Sequence, residues 1–223
     1  MGKKGTKESP VVINMTELAR AAKKLRENET AEGRAIEIRE ALIKDDFCNY
    51  KYEIVSGKAI GFTHGVVGKG VIEDDMRNAF ARLNVHLAVI DDVYKHSGVQ
   101  IGDIDSMHND ELALLYTVTG IKIKGGEENE AVILIGNKYL SSGARMELES
   151  PKIAIDSLSS YTWHNELREA VRMVREEVAL YHFGKYTPVK VEEPEEDPKQ
   201  SKIGFDKEED EESAEVNFES GKV

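Results

Sequence analysis

The sequence predicts an α+β fold: a mostly antiparallel sheet with two main packed helices. Three observations carry this. Apolar and polar residues alternate over much of 34–56, 112–124 and 144–155, the period of half-buried strands, and a further strand over 131–140 follows a turn. Two other stretches, 74–94 and 162–183, repeat their apolar residues at helical spacing. The order is therefore strands, helix, strands, helix, which argues for a sheet with helices segregated from it.

Before the first strand, Met15, Leu18, Ala22 and Leu25 form one stripe, a short amphipathic helix over 12–26 capped by Asn14 or Thr16. Ile36 and Ile38, then Tyr50, Tyr52 and Ile54, mark two strands around the turn Lys44-Asp45-Asp46. Glycines at 57, 61, 65, 68 and 70 predict an irregular, permissive stretch. Met76, Phe80, Leu83, Leu87, Ile90 and Tyr94 then make one continuous stripe, with Asp74 and Asp75 suited to the helix start.

After a polar loop at 97–110, Leu112, Leu114, Tyr116 and Val118 alternate, and Lys122 and Lys124 continue that parity. Gly125-Gly126 begins a turn into the strand 131–140. Met146, Leu148, Ile153 and Ile155 alternate around Pro151, which marks an edge strand or a bulge. Leu167, Val171, Val174, Val178 and Tyr181 form the buried stripe of the last helix, and Gly184 stops it.

Charge sets the domain organisation. The 223 residues hold 30 Lys and Arg against 42 Asp and Glu, a net of −12. Residues 1–26 carry +5 (seven against two), 189–223 carry −8 (five against thirteen), and 27–188 hold the remaining −9. The expected organisation is a basic N-terminal arm with a short helix (1–29), a single α+β domain (30–188) and an acidic C-terminal tail (189–223). Pro188, Pro194 and Pro198, the run Asp206-Lys-Glu-Glu-Asp-Glu-Glu212 and sparse apolar residues predict a disordered tail. No run of 18 apolar residues exists, and no apolar segment follows the basic start, so a cytoplasmic location without membrane insertion is expected. The single cysteine, Cys48, excludes an internal disulfide and reads as a small core residue.

The residues nominate no enzyme. Gly65-Val-Val-Gly68-Lys69-Gly70 has two residues between its glycines where a phosphate-binding loop needs four, and Gly70 stands where that loop needs Ser or Thr. Asp103, Asp105, His108 and Asp110 collect metal-type donors, but a calcium loop would need Gly at His108 and a carboxylate at Leu114. That cluster reads either as a solvated loop with an Asp helix cap or as a weak divalent site of a metal-dependent nuclease. His86 lies beside the apolar stripe as a semi-buried residue, and His164 as a packing or capping residue. No cofactor is expected.

What remains is a binding surface and a tail. Tyr50, Tyr52, Tyr116 and Tyr139 interleave with Lys51, Lys122, Lys124, Lys138 and Arg145 on predicted strands. Aromatic faces for base stacking beside cations for phosphates are how single strands are held. The competing interpretation is half-buried tyrosines and solvated lysines, and the net of −9 opposes a polyanion ligand. In the tail, Phe205 and Phe218 stand among Asp206, Glu208, Glu209, Asp210, Glu211 and Glu212, an anionic ligand with apolar anchors for partner proteins or a competitor for the domain's own cations.

Three segments carry a family resemblance: Val71-Ile-Glu-Asp-Asp75 through Ala79-Phe80, Leu83 and His86-Leu87; Val132-Ile-Leu-Ile-Gly136-Asn-Lys138; and Glu176-Glu177-Val178 through Tyr181, Gly184 and Lys185. Over about 45–187 the chain resembles proteins of phage and prophage replication–recombination modules, among them phage single-stranded DNA-binding proteins. The tail is similar to the acidic tails of such binders, although theirs finish on an aromatic and here Phe218 is followed by Glu-Ser-Gly-Lys-Val223. The resemblance implies an OB-like or related sheet. It also implies a non-enzymatic single-stranded DNA-binding protein whose tail meets replication or recombination proteins. A virion structural or assembly protein without nucleic-acid binding is the alternative, and homo-oligomerisation stays open.

Overall fold

A computed structural model describes residues 15–56, 59–126, 129–157 and 159–188. The chain divides into a compact unit, Met1–Val189, and a second unit, Lys190–Val223. The expectations for Phe205, Asp206, Glu208, Glu209, Asp210, Glu211, Glu212 and Phe218 lie outside the described residues.

The first unit opens with α1 (Met15–Ala31), then β1 (Ala35–Lys44), β2 (Phe47–Ser56), β3 (Ala59–Val66) and β4 (Gly70–Val71). Three short helices follow, α2 (Asp74–Ala81), α3 (Asn84–Ile90) and α4 (Val93–Ser97). After 3-10 turns at Ile104–Met107 and Ala113–Leu115 come β5 (Tyr116–Lys124), β6 (Ala131–Tyr139), β7 (Arg145–Glu149), β8 (Ile153–Ala154), α5 (His164–His182) and β9 (Thr187–Pro188). The nine strands form one sheet, ordered β7-β6-β5-β1-β2-β4-β9, with β3 also on β2 and β8 on β6. Every pairing is antiparallel. The path is open. No described helix is long and apolar enough to cross a membrane.

The helices pack on one face of the sheet, here called the inner face: α3 on β5, and α5 on β1, α2 and α1. The α5 stripe of Leu167, Val171, Val174, Val178 and Tyr181 is wholly buried against Ile38, Ala41, Cys48, Ile121 and Leu134. Arg175 ties α5 to the sheet by donating to Glu37 at 2.9 Å and Glu130 at 2.6 Å. Lys185, 8% exposed, bridges Asp75 and Glu177 at 2.7 Å each.

Four local expectations are corrected. The stripe over 74–94 is not one helix, because the backbone turns at Leu83 and Asp92 adopts a left-handed φ of 57°. Its apolar spacing still buries Met76, Phe80, Leu83, Leu87 and Tyr94 in one core. Ala113–Leu115 form a 3-10 turn rather than strand, with Leu112 as its cap. The stretch with glycines at 61 and 65 is strand β3, which keeps one irregularity, an extra residue between Ile60 and Thr63. The fourth correction concerns parity: Lys122 and Lys124 do not share a face with Tyr116 and Val118. A β-bulge between Val118 and Gly120 inserts Thr119 and reverses every later residue. The amide of Val118 is satisfied by Asn84 Oδ1 at 2.8 Å, which ties α3 to the bulge.

Candidate nucleic-acid interface

Paired residues in adjacent strands share a face, so the register assigns each predicted contact a side. One outer row runs Lys51, Glu40, Lys122 and Ile133 across β2, β1, β5 and β6, and the next runs Asn49, Leu42, Gly120, Ile135 and Glu149. Tyr139 pairs with Arg145 on that same face, and Lys124 ends β5 there. No described helix covers it.

The outer face is half apolar and half charged. Leu42, Ile133 and Ile135 are half-buried between charged neighbours. Lys51 donates to Glu40 at 2.8 Å and Lys122 to Glu149 at 3.0 Å. Exposed pairs of this kind contribute about 0–1 kcal/mol, so a phosphate can displace the carboxylate at little cost. Lys44, Lys124 and Arg145 are exposed and form no ion pair among the described residues. A depression of about 590 Å³ is lined by Leu42, Thr119 and Ile135 together with Lys44 and Arg145; Asp45, Asp46 and Glu147 also line it.

The other predicted residues lie on the inner face. Tyr50 is 5% exposed, shares a 2.9 Å hydrogen bond with His182 Nδ1 and meets the Tyr181 ring edge-on at 6.1 Å. Burial raises the pKa of its hydroxyl. Tyr52 is half-buried and stacked on His64, the ring centroids 5.1 Å apart. Tyr116, 1% exposed, donates to Asp91 Oδ2 at 2.6 Å. Burial and that carboxylate push its hydroxyl up to about 12.

Lys138 donates to the same Asp91 oxygen at 2.5 Å and lies 5.2 Å over the Tyr116 ring. The hydrogen bond to Asp91 raises the Lys138 pKa. Burial pushes Asp91 upward, but the bonds from Lys138 and Tyr116 outweigh it and hold the carboxyl below its ordinary range. The tyrosine, carboxylate and ammonium thus satisfy one another. Neither Tyr50 nor Tyr116 presents a free ring face to a base.

The predicted set therefore separates by pleat. Lys51, Lys122, Lys124, Tyr139 and Arg145 share the outer face, whereas Tyr50, Tyr52, Tyr116 and Lys138 belong to the helix-covered side. Lys44, which aromatic–basic interleaving does not single out, joins the outer set. Its signal in the sequence is the Asp45-Asp46 hairpin, whose left-handed φ values of 50° and 67° place Lys44 at the strand end beside the depression.

Elsewhere, Asp103 and Asp110 serve local structure, whereas neither ring nitrogen of the half-buried His108 has a hydrogen-bond partner among the described residues. Asp103 Oδ1 accepts from the Asp105 amide at 3.1 Å, and Asp110 Oδ1 from Tyr94 Oη and the Leu112 amide at 2.9 Å each. His108 Nε2 is 3.5 Å from Asp105. Among the described residues no three His, Cys, Asp or Glu side chains gather to hold a metal ion. The glycine loop is shaped by close approach: a Cβ on Gly68 would lie 2.5 Å from Cys48 O and 2.6 Å from Tyr181 Oη. His86 is 1% exposed and bonds Tyr161 Oη at 2.9 Å.

No family model, no curated protein and no solved structure matches the chain.

Proposed function

We propose that the chain is a non-enzymatic single-stranded DNA-binding protein that receives the strand on the outer face of its sheet. One observation carries this: Lys44, Lys51, Lys122, Lys124, Arg145 and Tyr139 share that face over a half-apolar floor. Cations would track phosphates there, with Tyr139 stacking one base and Leu42 and Ile135 meeting others. The sheet would play the part of an OB-like or related binding surface, in a cytoplasmic protein of a phage-type replication or recombination system. Its acidic tail would recruit partners through Phe205 and Phe218 or compete with DNA for the cations.

Fluorescence anisotropy of labelled oligo-dT, titrated with salt, tests it. Removing one phosphate-binding cation should lower the salt slope by about 0.7. Arg145→Glu combined with Lys124→Glu should therefore weaken binding and flatten the slope. If the full chain fails to bind at low salt, the proposal is wrong.

A second reading has its own observation. Leu114, Leu115, Tyr139, Leu140 and Met146 are exposed (38–60%), and the register brings them to one end of the sheet. Exposed apolar residues gathered at one end of a sheet, on both of its faces, suit an assembly contact of a virion protein. Large symmetric particles forming without DNA, seen by light scattering, would favour that reading.

A further inference from the structure

The strand β3 has a free edge. It pairs with β2 on one side, and no described residue pairs with it on the other. Phe62, Thr63, His64 and Gly65 are exposed, Phe62 by 89%. Proteins ordinarily guard such edges with charge, proline or a β-bulge, and of these β3 has only the bulge, one extra residue between Ile60 and Thr63. The opposite edge strand, β7, has Arg145, Glu147 and Glu149 among its five residues. Residues 59–66 contain no Asp, Glu, Lys, Arg or Pro.

The sequence of this edge is symmetric about Thr63. Residues 60–66 read Ile-Gly-Phe-Thr-His-Gly-Val: apolar, glycine, ring, threonine, ring, glycine, apolar, in either direction. A strand paired antiparallel with its own copy about a two-fold axis at position 63 opposes residues equally spaced on either side. Thr63 then faces Thr63 and Phe62 faces His64, the central pairs of the contact; farther out, the extra residue that β3 carries between Ile60 and Thr63 shifts the register. Threonine, aromatic and β-branched pairs are the cross-strand contacts that stabilise antiparallel sheets.

The single chain already contains one aromatic pair beside this edge, since Tyr52 stacks on His64 at 5.1 Å. Glycine at 65 answers no need within one chain, because an added Cβ would meet nothing within 4 Å and its φ is not left-handed.

We propose that β3 is a homodimerisation strand that joins two copies of the chain edge to edge, centred on Thr63. This stands independently of the DNA-binding reading.

Because position 63 opposes itself, charge swapping gives a test that no other register shares. Sedimentation velocity of the full chain, 24.9 kDa, should show a concentration-dependent dimer. Thr63→Lys and Thr63→Glu should each shift it to monomer by placing like charges face to face, with thermal unfolding checking that both stay folded. A one-to-one mixture of the two variants should restore the dimer. A wild-type chain that stays monomeric overturns the proposal. So does a dimer indifferent to Thr63→Lys, which would place the contact elsewhere, and so does a mixture that stays monomeric, which would exclude Thr63 as the centre.

Discussion

Tyr116 and Tyr139 are strand tyrosines on either side of the Lys138 position, yet they answer to opposite tests. Tyr116 donates its hydroxyl to Asp91 at 2.6 Å beneath the helices, so Tyr116→Phe removes a hydrogen bond to a charged acceptor. Urea denaturation should show a loss of about 1.5–3 kcal/mol, with oligo-dT affinity unchanged. Tyr139 is 43% exposed beside Arg145, so Tyr139→Ala should leave stability within experimental error. In the anisotropy titration it should cost about 1–3 kcal/mol of binding. If the two variants exchange these effects, the face assignment is wrong. His86 adds a pH test. Burial, helped by His108, lowers its pKa from 6.5 to about 3, so between those values the unfolded chain binds a proton that the folded one refuses. Its contribution is intact above pH 6.5 and erodes as pH falls toward 3, by about 1.4 kcal/mol per pH unit. His182, also lowered by burial, adds the same sign. Stability of His86→Gln should fall less steeply with acid than that of the natural chain; parallel curves would contradict the assignment.

At the scale of elements, period-2 alternation located β1, β2 and β7, and the helical period located the buried stripe of α5, because each is a regular segment with one face in the core. Two insertions defeated it. The bulge after Val118 reversed Lys122 and Lys124, and another between Ile38 and Glu40 did the same within β1. A bulge adds one residue without changing composition, so nothing in the alternation announces it. The same period explains the divided binding set: Tyr50-Lys51-Tyr52 looks interleaved in sequence, but consecutive strand residues face opposite ways, and only Lys51 reaches the outer face. The helical stripe over 74–94 was legible as core, whereas its breaks depend on Asp92 and on packing that spacing does not encode. Glycines in two strands make the element-level prediction. A Cβ on Gly136 would lie 2.4 Å from Thr117 O and 3.0 Å from Val118 Cα, both backbone, whereas one on Gly65 meets nothing within 4 Å. Gly136→Ala should lower stability by about 1–3 kcal/mol through overpacking beside the bulge. Gly65→Ala, compared at concentrations where the chain is monomeric, should be neutral or gain up to about 1 kcal/mol by reducing unfolded-chain entropy. Equal chemical denaturation midpoints for the two variants would contradict this geometry.

For the whole molecule the decisive quantity is where the charge lies. A net of −12 opposes a polyanion ligand, and only the uneven distribution makes the outer-face cations compatible with one. Residues 189–223 carry −8 of it, densest at Asp206, Glu208, Glu209, Asp210, Glu211 and Glu212. If this tail competes with DNA for those cations, replacing the six carboxylates by Asn and Gln in the full-length chain should tighten oligo-dT binding at low salt. The gain should shrink as salt rises, because the screening length falls from about 10 Å at 0.1 M to about 3 Å at 1 M. Phe205→Ala with Phe218→Ala keeps the charge and should leave DNA affinity alone, since in this reading those rings serve partner proteins. Competition by charge therefore requires the first variant to move and the second to stay. Affinities that agree for all three chains at low salt would assign the tail to partner recruitment alone. A gain that persists undiminished at high salt would mean that the tail blocks the site by contact rather than by its field.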